Sequence, residues 1–240
     1  MKARIAVAGA LLAVTGAAGA AEITATATLT SDYDFRGITQ TQGEPAFQLG
    51  LNYGADSGIY MGVWGSNVKF GNTEDWQIYG RRPSTEIDVY AGYAGGDAEE
   101  TFGYDIGAIY YGYPNGTAGN FPEVYAGVSK GFFNLKLWYS WDYAGSGDTA
   151  YYVDTNFNLP MANDFSFLVH AGYSGAEYHN NRWGRTGGLG EYLDWSLGVA
   201  LDVDGWTAAF KYVDGSDANS NPRNLGRFVF SLSTTLGGGE

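Results

Sequence analysis

The chain has 240 residues, among them 37 glycines and no cysteine, with 16% aromatic residues and a formal net charge of −13. The missing cysteine excludes disulfides, thiolate metal sites and acylation at an N-terminal cysteine, and the acidic balance argues against nucleic acid as a partner. A mean hydropathy of −0.21 beside so many aromatic and glycine residues describes a chain whose apolar side chains alternate with polar ones.

Residues 1–20 read as a cleaved secretory signal peptide. Lys2 and Arg4 precede an apolar run from Ile5 to Val14, and a small-residue stretch follows, with an A-x-A match at Ala18-Gly19-Ala20. The run is too short for a membrane anchor, which needs roughly 20 apolar residues. Residues 21–240 are then expected to form one domain.

From Glu22 onward the sequence has period two, the mark of strands with one apolar and one polar face. In the first strand Ile23, Ala25, Ala27 and Leu29 alternate with threonines, and the pattern continues to Tyr33 and Phe35 against Asp32, Asp34 and Arg36. Further strands are predicted at 45–53, 58–67, 85–93, 102–111, 122–129 and 133–142. The last five are predicted at 150–159, 165–174, 192–203, 206–214 and 226–236, making twelve. The third has the least clean alternation, because Tyr60 and Trp64 make its second face aromatic as well. Most are near the 9 to 11 residues with which a tilted strand crosses a bilayer.

The connections alternate short and long. Tight turns such as 54–57, 130–132, 160–164 and 204–205 take turns with long segments such as 69–84, 112–121 and 175–191. That asymmetry fits a transmembrane antiparallel up-and-down β-barrel with short periplasmic turns and long extracellular loops. The aromatics of the apolar faces fall into two girdles. Phe47, Tyr110, Tyr139, Trp141, Tyr151, Tyr173, Trp195, Tyr212 and Phe228 lie at the outer strand ends, and Tyr53, Tyr93, Phe102, Phe133, Phe157, Phe165 and Trp206 at the inner ends. A soluble lipocalin-like barrel, the competing reading, predicts about eight strands, apolar faces turned inward and no girdles.

The segment Ser31-Asp32-Tyr33-Asp34-Phe35-Arg36-Gly37-Ile38-Thr39-Gln40-Thr41, followed by Pro45-Ala46-Phe47-Gln48 and by Gly62-Val63-Trp64-Gly65-Ser66-Asn67, resembles the TorF-type porin family of proteobacterial outer-membrane proteins. Glu86-Ile87-Asp88 and Tyr113-Pro114 are similar to the same family. The resemblance implies an outer-membrane location and a pore role, and brings no catalytic residue. The last strand departs from the usual barrel ending. It stops at Leu236 and runs into Gly237-Gly238-Gly239-Glu240 instead of finishing on an aromatic, which alters the signal that the barrel-assembly machinery reads.

If the apolar faces meet lipid, the alternate residues line a lumen. Asp32, Asp34, Arg36, Glu86, Asp88, Asp105, Lys136, Asp142, Asp154, Asp194, Lys211 and Arg227 are the expected lining, net acidic and therefore cation-favouring if open. These groups can equally pair across strands and fill the interior, because twelve strands fall between the filled eight and the open sixteen. Asp32, Asp34 and Arg36 share one face at the outer end of the first strand, as part of a constriction or as a rim salt-bridge cluster.

Among the loops, Trp76, Tyr79, Arg81 and Arg82, and then Tyr178, His179, Arg182, Trp183, Arg185 and Tyr192, combine rings with guanidinium groups. They can select solutes by stacking and bidentate hydrogen bonds, meet the sugars of lipopolysaccharide, or simply pack the loops. Catalytic signals are poor. The two histidines, His170 in a strand and His179 in a loop, have no triad around them, the glycines at 184–190 follow no buried strand, and no cofactor or metal site is expected. The sequence therefore predicts a non-enzymatic barrel passing small hydrophilic solutes through the outer membrane. A closed structural barrel acting through its loops is the alternative, and a membrane-embedded enzyme stands third.

Overall fold

The computed structural model describes residues 22–70, 83–116, 119–178, 191–216 and 226–237, so the expected signal peptide lies outside the described residues. In chain order the strands are β1 (Glu22–Thr30), β2 (Asp34–Phe35), β3 (Ile38–Thr39), β4 (Ala46–Gly54), β5 (Ile59–Asn67), β6 (Thr85–Gly96) and β7 (Gly103–Gly112). They continue with β8 (Phe121–Lys130), β9 (Phe133–Ser140), β10 (Ala150–Pro160), β11 (Phe165–Gly175), β12 (Tyr192–Val203), β13 (Trp206–Gly215) and β14 (Arg227–Gly237). Twelve of them close into one antiparallel barrel, while β2 and β3 form a separate small hairpin. Closure is made by β14 against β1, with Leu29 opposite Leu232 and Ala25 opposite Leu236.

Alternation explains why these segments are strands and which way each face points. On β1 the threonines turn inward while Ile23 and Leu29 stand 63% and 55% exposed outside. On β4 Phe47, Leu49, Leu51 and Tyr53 point out, and Gln48 and Asn52 are buried within. Every wall strand repeats this distribution, the inverse of a water-soluble barrel. In water each such outward side chain would forgo about 1.5–3 kcal/mol of burial, a cost that surrounding hydrocarbon removes. Closure also pairs every edge of the wall strands, which a lipid environment demands because no water is there to satisfy backbone groups. Among the described residues no helix is long and apolar enough to cross a membrane; the crossing is made by strands.

The loops sort as the sequence predicts. Residues 55–58, 97–102, 131–132, 161–164 and 204–205 close one end of the barrel, and at the other, where the longer connections leave the wall, lie 31–45 and 141–149 together with the described residues 68–70, 83–84, 113–116, 119–120, 176–178, 191, 216 and 226. Outward rings mark both ends: Phe47, Tyr110, Tyr139, Trp141, Trp195 and Phe228 near the long loops, and Tyr53, Tyr93, Phe102, Phe165 and Trp206 near the turns.

Three details differ from the sequence reading. The first strand does not run on through Phe35. The chain leaves the wall after Thr30 and folds into the lumen, so Tyr33 is buried in the interior instead of facing lipid. The cause is local chemistry: Arg36 and Gly37 take positive φ values of 52° and 80°, which make a tight hairpin turn, and the flanking Asp and Thr side chains find partners only inside. Asp142, expected on the wall, lies beyond the end of β9 in a loop, where its carboxylate accepts a 2.7 Å hydrogen bond from Gly147 N–H. β6 runs to Gly96, three residues past its predicted end.

Candidate functional site

The lumen is built in unequal halves. Strands β5 to β10 send in rings, among them Tyr60, Tyr90, Tyr111, Tyr125, Trp138 and Tyr152, which pack with Tyr33 into one buried cluster. Two of these rings need glycine beneath them. Tyr90 lies over Gly62 and Tyr60 over Gly92, each tyrosine directly opposite its glycine in the β5–β6 register, and a Cβ on Gly62 would come within 2.5 Å of the Tyr90 ring. The facing wall carries short hydroxyl side chains: Thr24, Thr26, Thr28 and Thr30 on β1, Ser231 and Ser233 on β14, and Ser196 on β12. A cavity of about 210 Å³ lies along that wall, with Thr26, Thr28, Thr30, Ser196, Ser231 and Ser233 on one side and Trp64, Trp138 and Tyr152 on the other.

The β2–β3 hairpin crosses the lumen at the long-loop end, held at both its base and its tip. Arg227 of β14 donates at the base to Asp32 Oδ2 at 2.6 Å and to Asp34 Oδ1, and at the turn to the Gly37 carbonyl at 2.9 Å. The other oxygen of Asp32 accepts from Thr39, from Thr41 Oγ1 at 2.9 Å and from Gly43 N–H at 3.1 Å. Burial pushes the Asp34 carboxyl above its ordinary range, while Arg227 pulls it the other way. At the tip Arg36 makes a bidentate pair with Glu123 of β8, at 2.9 and 2.6 Å, and Tyr111 donates to the same carboxylate at 3.0 Å. Glu123 is fully buried. The guanidinium also sits 4.7 Å from the Phe35 ring centroid and 4.5 Å from that of Tyr152. Burial acts to lower the Arg36 pKa, but Glu123 more than offsets it and holds the group above its ordinary value. Tyr33 reaches Glu86 of β6 at 3.2 Å, and Tyr192 of β12 donates to the Arg36 carbonyl at 3.1 Å.

Two further polar groups lie deeper. His170 bridges neighbouring strands, with Nε2 at 2.8 Å from Asp194 and Nδ1 at 3.0 Å from Asn156 and 3.2 Å from Asp154. Across the lumen Lys136 pairs with Asp105 at 2.6 Å and lies over the rings of Tyr125 and Trp138, while Tyr60 donates to the same aspartate.

Of the lining residues expected from sequence, Asp32, Asp34 and Arg36 thus sit on the hairpin, and Glu86, Asp88, Asp105, Lys136, Asp154, Asp194, Lys211 and Arg227 on inward strand faces. The lining expected from sequence left out Glu123 and the inward rings. Glu123 alternates with outward Val124, and Trp138 with outward Leu137 and Tyr139, so period two could have found both. Tyr178, one of the loop candidates, is buried against Tyr143 with ring centroids 4.7 Å apart. Trp76, Arg81, Arg82, Arg182, Trp183 and Arg185 lie outside the described residues.

The barrel is similar to two solved structures of about its own size. The NanC porin matches with a TM-score of 0.53 and 13% identity over 89% of this chain and 98% of that one. The KdgM porin matches with a TM-score of 0.51 and 8% identity over 90% and 98%. At such identities the likeness speaks for the fold: a closed transmembrane barrel of the outer-membrane porin type. No curated protein matches the chain. A family profile does, over residues 14–233, which covers the hairpin and every wall strand up to the middle of β14; the chain belongs to this family, described as bacterial protein of unknown function (Gcw_chp).

Proposed function

We propose that the protein is an outer-membrane channel through which small hydrophilic solutes diffuse, with a mild preference for cations. The observation that carries this reading is a cavity of about 210 Å³, with Thr and Ser hydroxyls along one wall, inside a closed barrel whose outside is apolar. Thr and Ser side chains can exchange hydrogen bonds with a solute shedding part of its hydration, while the lipid-facing belt keeps the barrel in the membrane. The resemblance of the hairpin segment to TorF-type porins and the porin-like fold support the same reading. On this account its surroundings are outer-membrane lipid and lipopolysaccharide, and the barrel-assembly machinery inserts it.

The cation preference rests on the charge inventory of the lumen. Arg227 faces Asp32 and Asp34, Arg36 faces Glu123, Lys136 faces Asp105, and His170 lies between Asp154 and Asp194. Lys211 also lines the cavity, so that among the described lumen residues eight carboxylates, Asp32, Asp34, Glu86, Asp88, Asp105, Glu123, Asp154 and Asp194, stand against five basic groups, and this surplus of carboxylate favours cations.

A second reading, a closed barrel acting through its loops, is favoured by the rings and hairpin that occupy the rest of the interior. Planar bilayers decide between them. Refolded protein is expected to give discrete conductance steps and, across a KCl gradient, a reversal potential on the cation side. No steps at all would favour the closed barrel, and a reversal potential on the anion side would refute the acidic-lumen argument.

A further inference from the structure

Resting on the channel reading, we propose that the β2–β3 hairpin is a fixed cross-bar that sets the pore's size limit, and that Arg36 is the positioning residue that holds the bar across the lumen. Three observations converge on it. The hairpin is anchored on opposite sides: Arg227 of β14 grips its base at Asp32 and the Gly37 carbonyl of its turn, and Glu123 of β8 receives the Arg36 side chain that the turn projects. Its tip residue is the one under backbone strain, because a non-glycine residue at φ 52° is disfavoured and persists only where its surroundings over-determine it. That strained residue makes the bidentate pair and the two close ring contacts, with Phe35 and Tyr152.

The placement of the bar divides the cross-section. Towards β8 the space is closed by the pair itself together with Tyr111, Trp138 and Tyr152. Towards β1 and β14 the cavity stays lined by hydroxyls. A solute passing the bar would therefore run along Thr26, Thr28, Ser231 and Ser233, and the width of that gap is fixed by how firmly Arg36 holds its carboxylate. The ion pair has a second consequence. Within it the charges of Arg36 and Glu123 cancel, so removing either one should both loosen the bar and uncover the charge of the other.

The two single substitutions therefore make opposite predictions that no general loss of structure would produce. In planar bilayers Arg36→Ala and Glu123→Gln should each raise single-channel conductance roughly twofold or more, and admit larger neutral solutes in liposome swelling. The reversal potential should move towards cations in Arg36→Ala, where Glu123 is freed, and towards anions in Glu123→Gln, where Arg36 is freed. The double exchange R36E/E123R should return conductance and selectivity towards the wild type, and heat-modifiable gel mobility would show that each variant is folded. A silent wild type with a conducting Arg36→Ala also supports the cross-bar. If the wild type conducts and both folded single variants match it, or if their reversal potentials shift in the same direction, the cross-bar is wrong while the channel stands. If neither the wild type nor Arg36→Ala conducts, the channel reading falls, and the cross-bar with it.

Discussion

Arg227 carries a large part of the order at the mouth of the lumen, because one guanidinium serves two carboxylates and a backbone carbonyl. Arg227→Ala would leave Asp32, 3% exposed, and Asp34 without that cation. Breaking a buried pair from one side costs about 3–5 kcal/mol, so the midpoint of urea unfolding in detergent micelles should fall markedly. Lys at the same position should recover only part of the loss, since it lacks the planar fork. An unchanged midpoint would show that the hairpin does not depend on this anchor. A second residue-scale prediction concerns the close approach of Tyr90 to Gly62. Gly62→Leu forces the ring aside, and over-packing of that kind costs about 1–3 kcal/mol, measurable in the same unfolding experiment. At this scale the sequence was legible in parity and illegible in pairing. Glu123 could be placed on an inward face from its neighbour Val124 alone, but nothing local shows that its partner lies 87 residues away on a turn.

The wall strands were readable because their two faces have opposite chemistry, and a register slip by one residue would move the outward Leu and Val rows into the lumen. The hairpin was not readable for a related reason. Its run from Asp32 to Arg36 keeps the same alternation as β1, so period two continues across the point where the chain leaves the wall. Only the left-handed pair at Arg36 and Gly37 betrays the turn, and an arginine in the first of those positions is a weak turn signal. Strand parity gives a sharp contrast between neighbouring faces. Leu51→Arg, on the outward face near the middle of β4, should destabilise the barrel in bilayers by about 2–4 kcal/mol. Thr28→Arg, on the inward face of β1, should cost less and instead reduce the current. The reverse ranking, measured by unfolding in lipid vesicles, would mean that the faces have been assigned the wrong way round.

At the scale of the molecule, a twelve-strand barrel falls between the eight strands whose interior side chains fill and the sixteen that leave an aqueous channel. Here rings and a hairpin occupy one side and short hydroxyls border a cavity on the other, and on the channel reading that asymmetry sets where water runs. The number of strands, the loop sorting and the girdles could be read from the chain. The division of the lumen could not, because it follows from which strands face each other across the barrel. The most direct test of the whole account is site-specific labelling, which the absence of cysteine makes clean. Single cysteines at Phe228, Phe230, Ser231 and Ser233 in protein reconstituted into vesicles should alternate: the two serine positions react with a small water-soluble maleimide, and the two phenylalanine positions react only with a lipid-phase probe. Serine positions that stay unreactive in folded protein, or phenylalanine positions that label from water, would contradict an aqueous path enclosed by a lipid-facing wall.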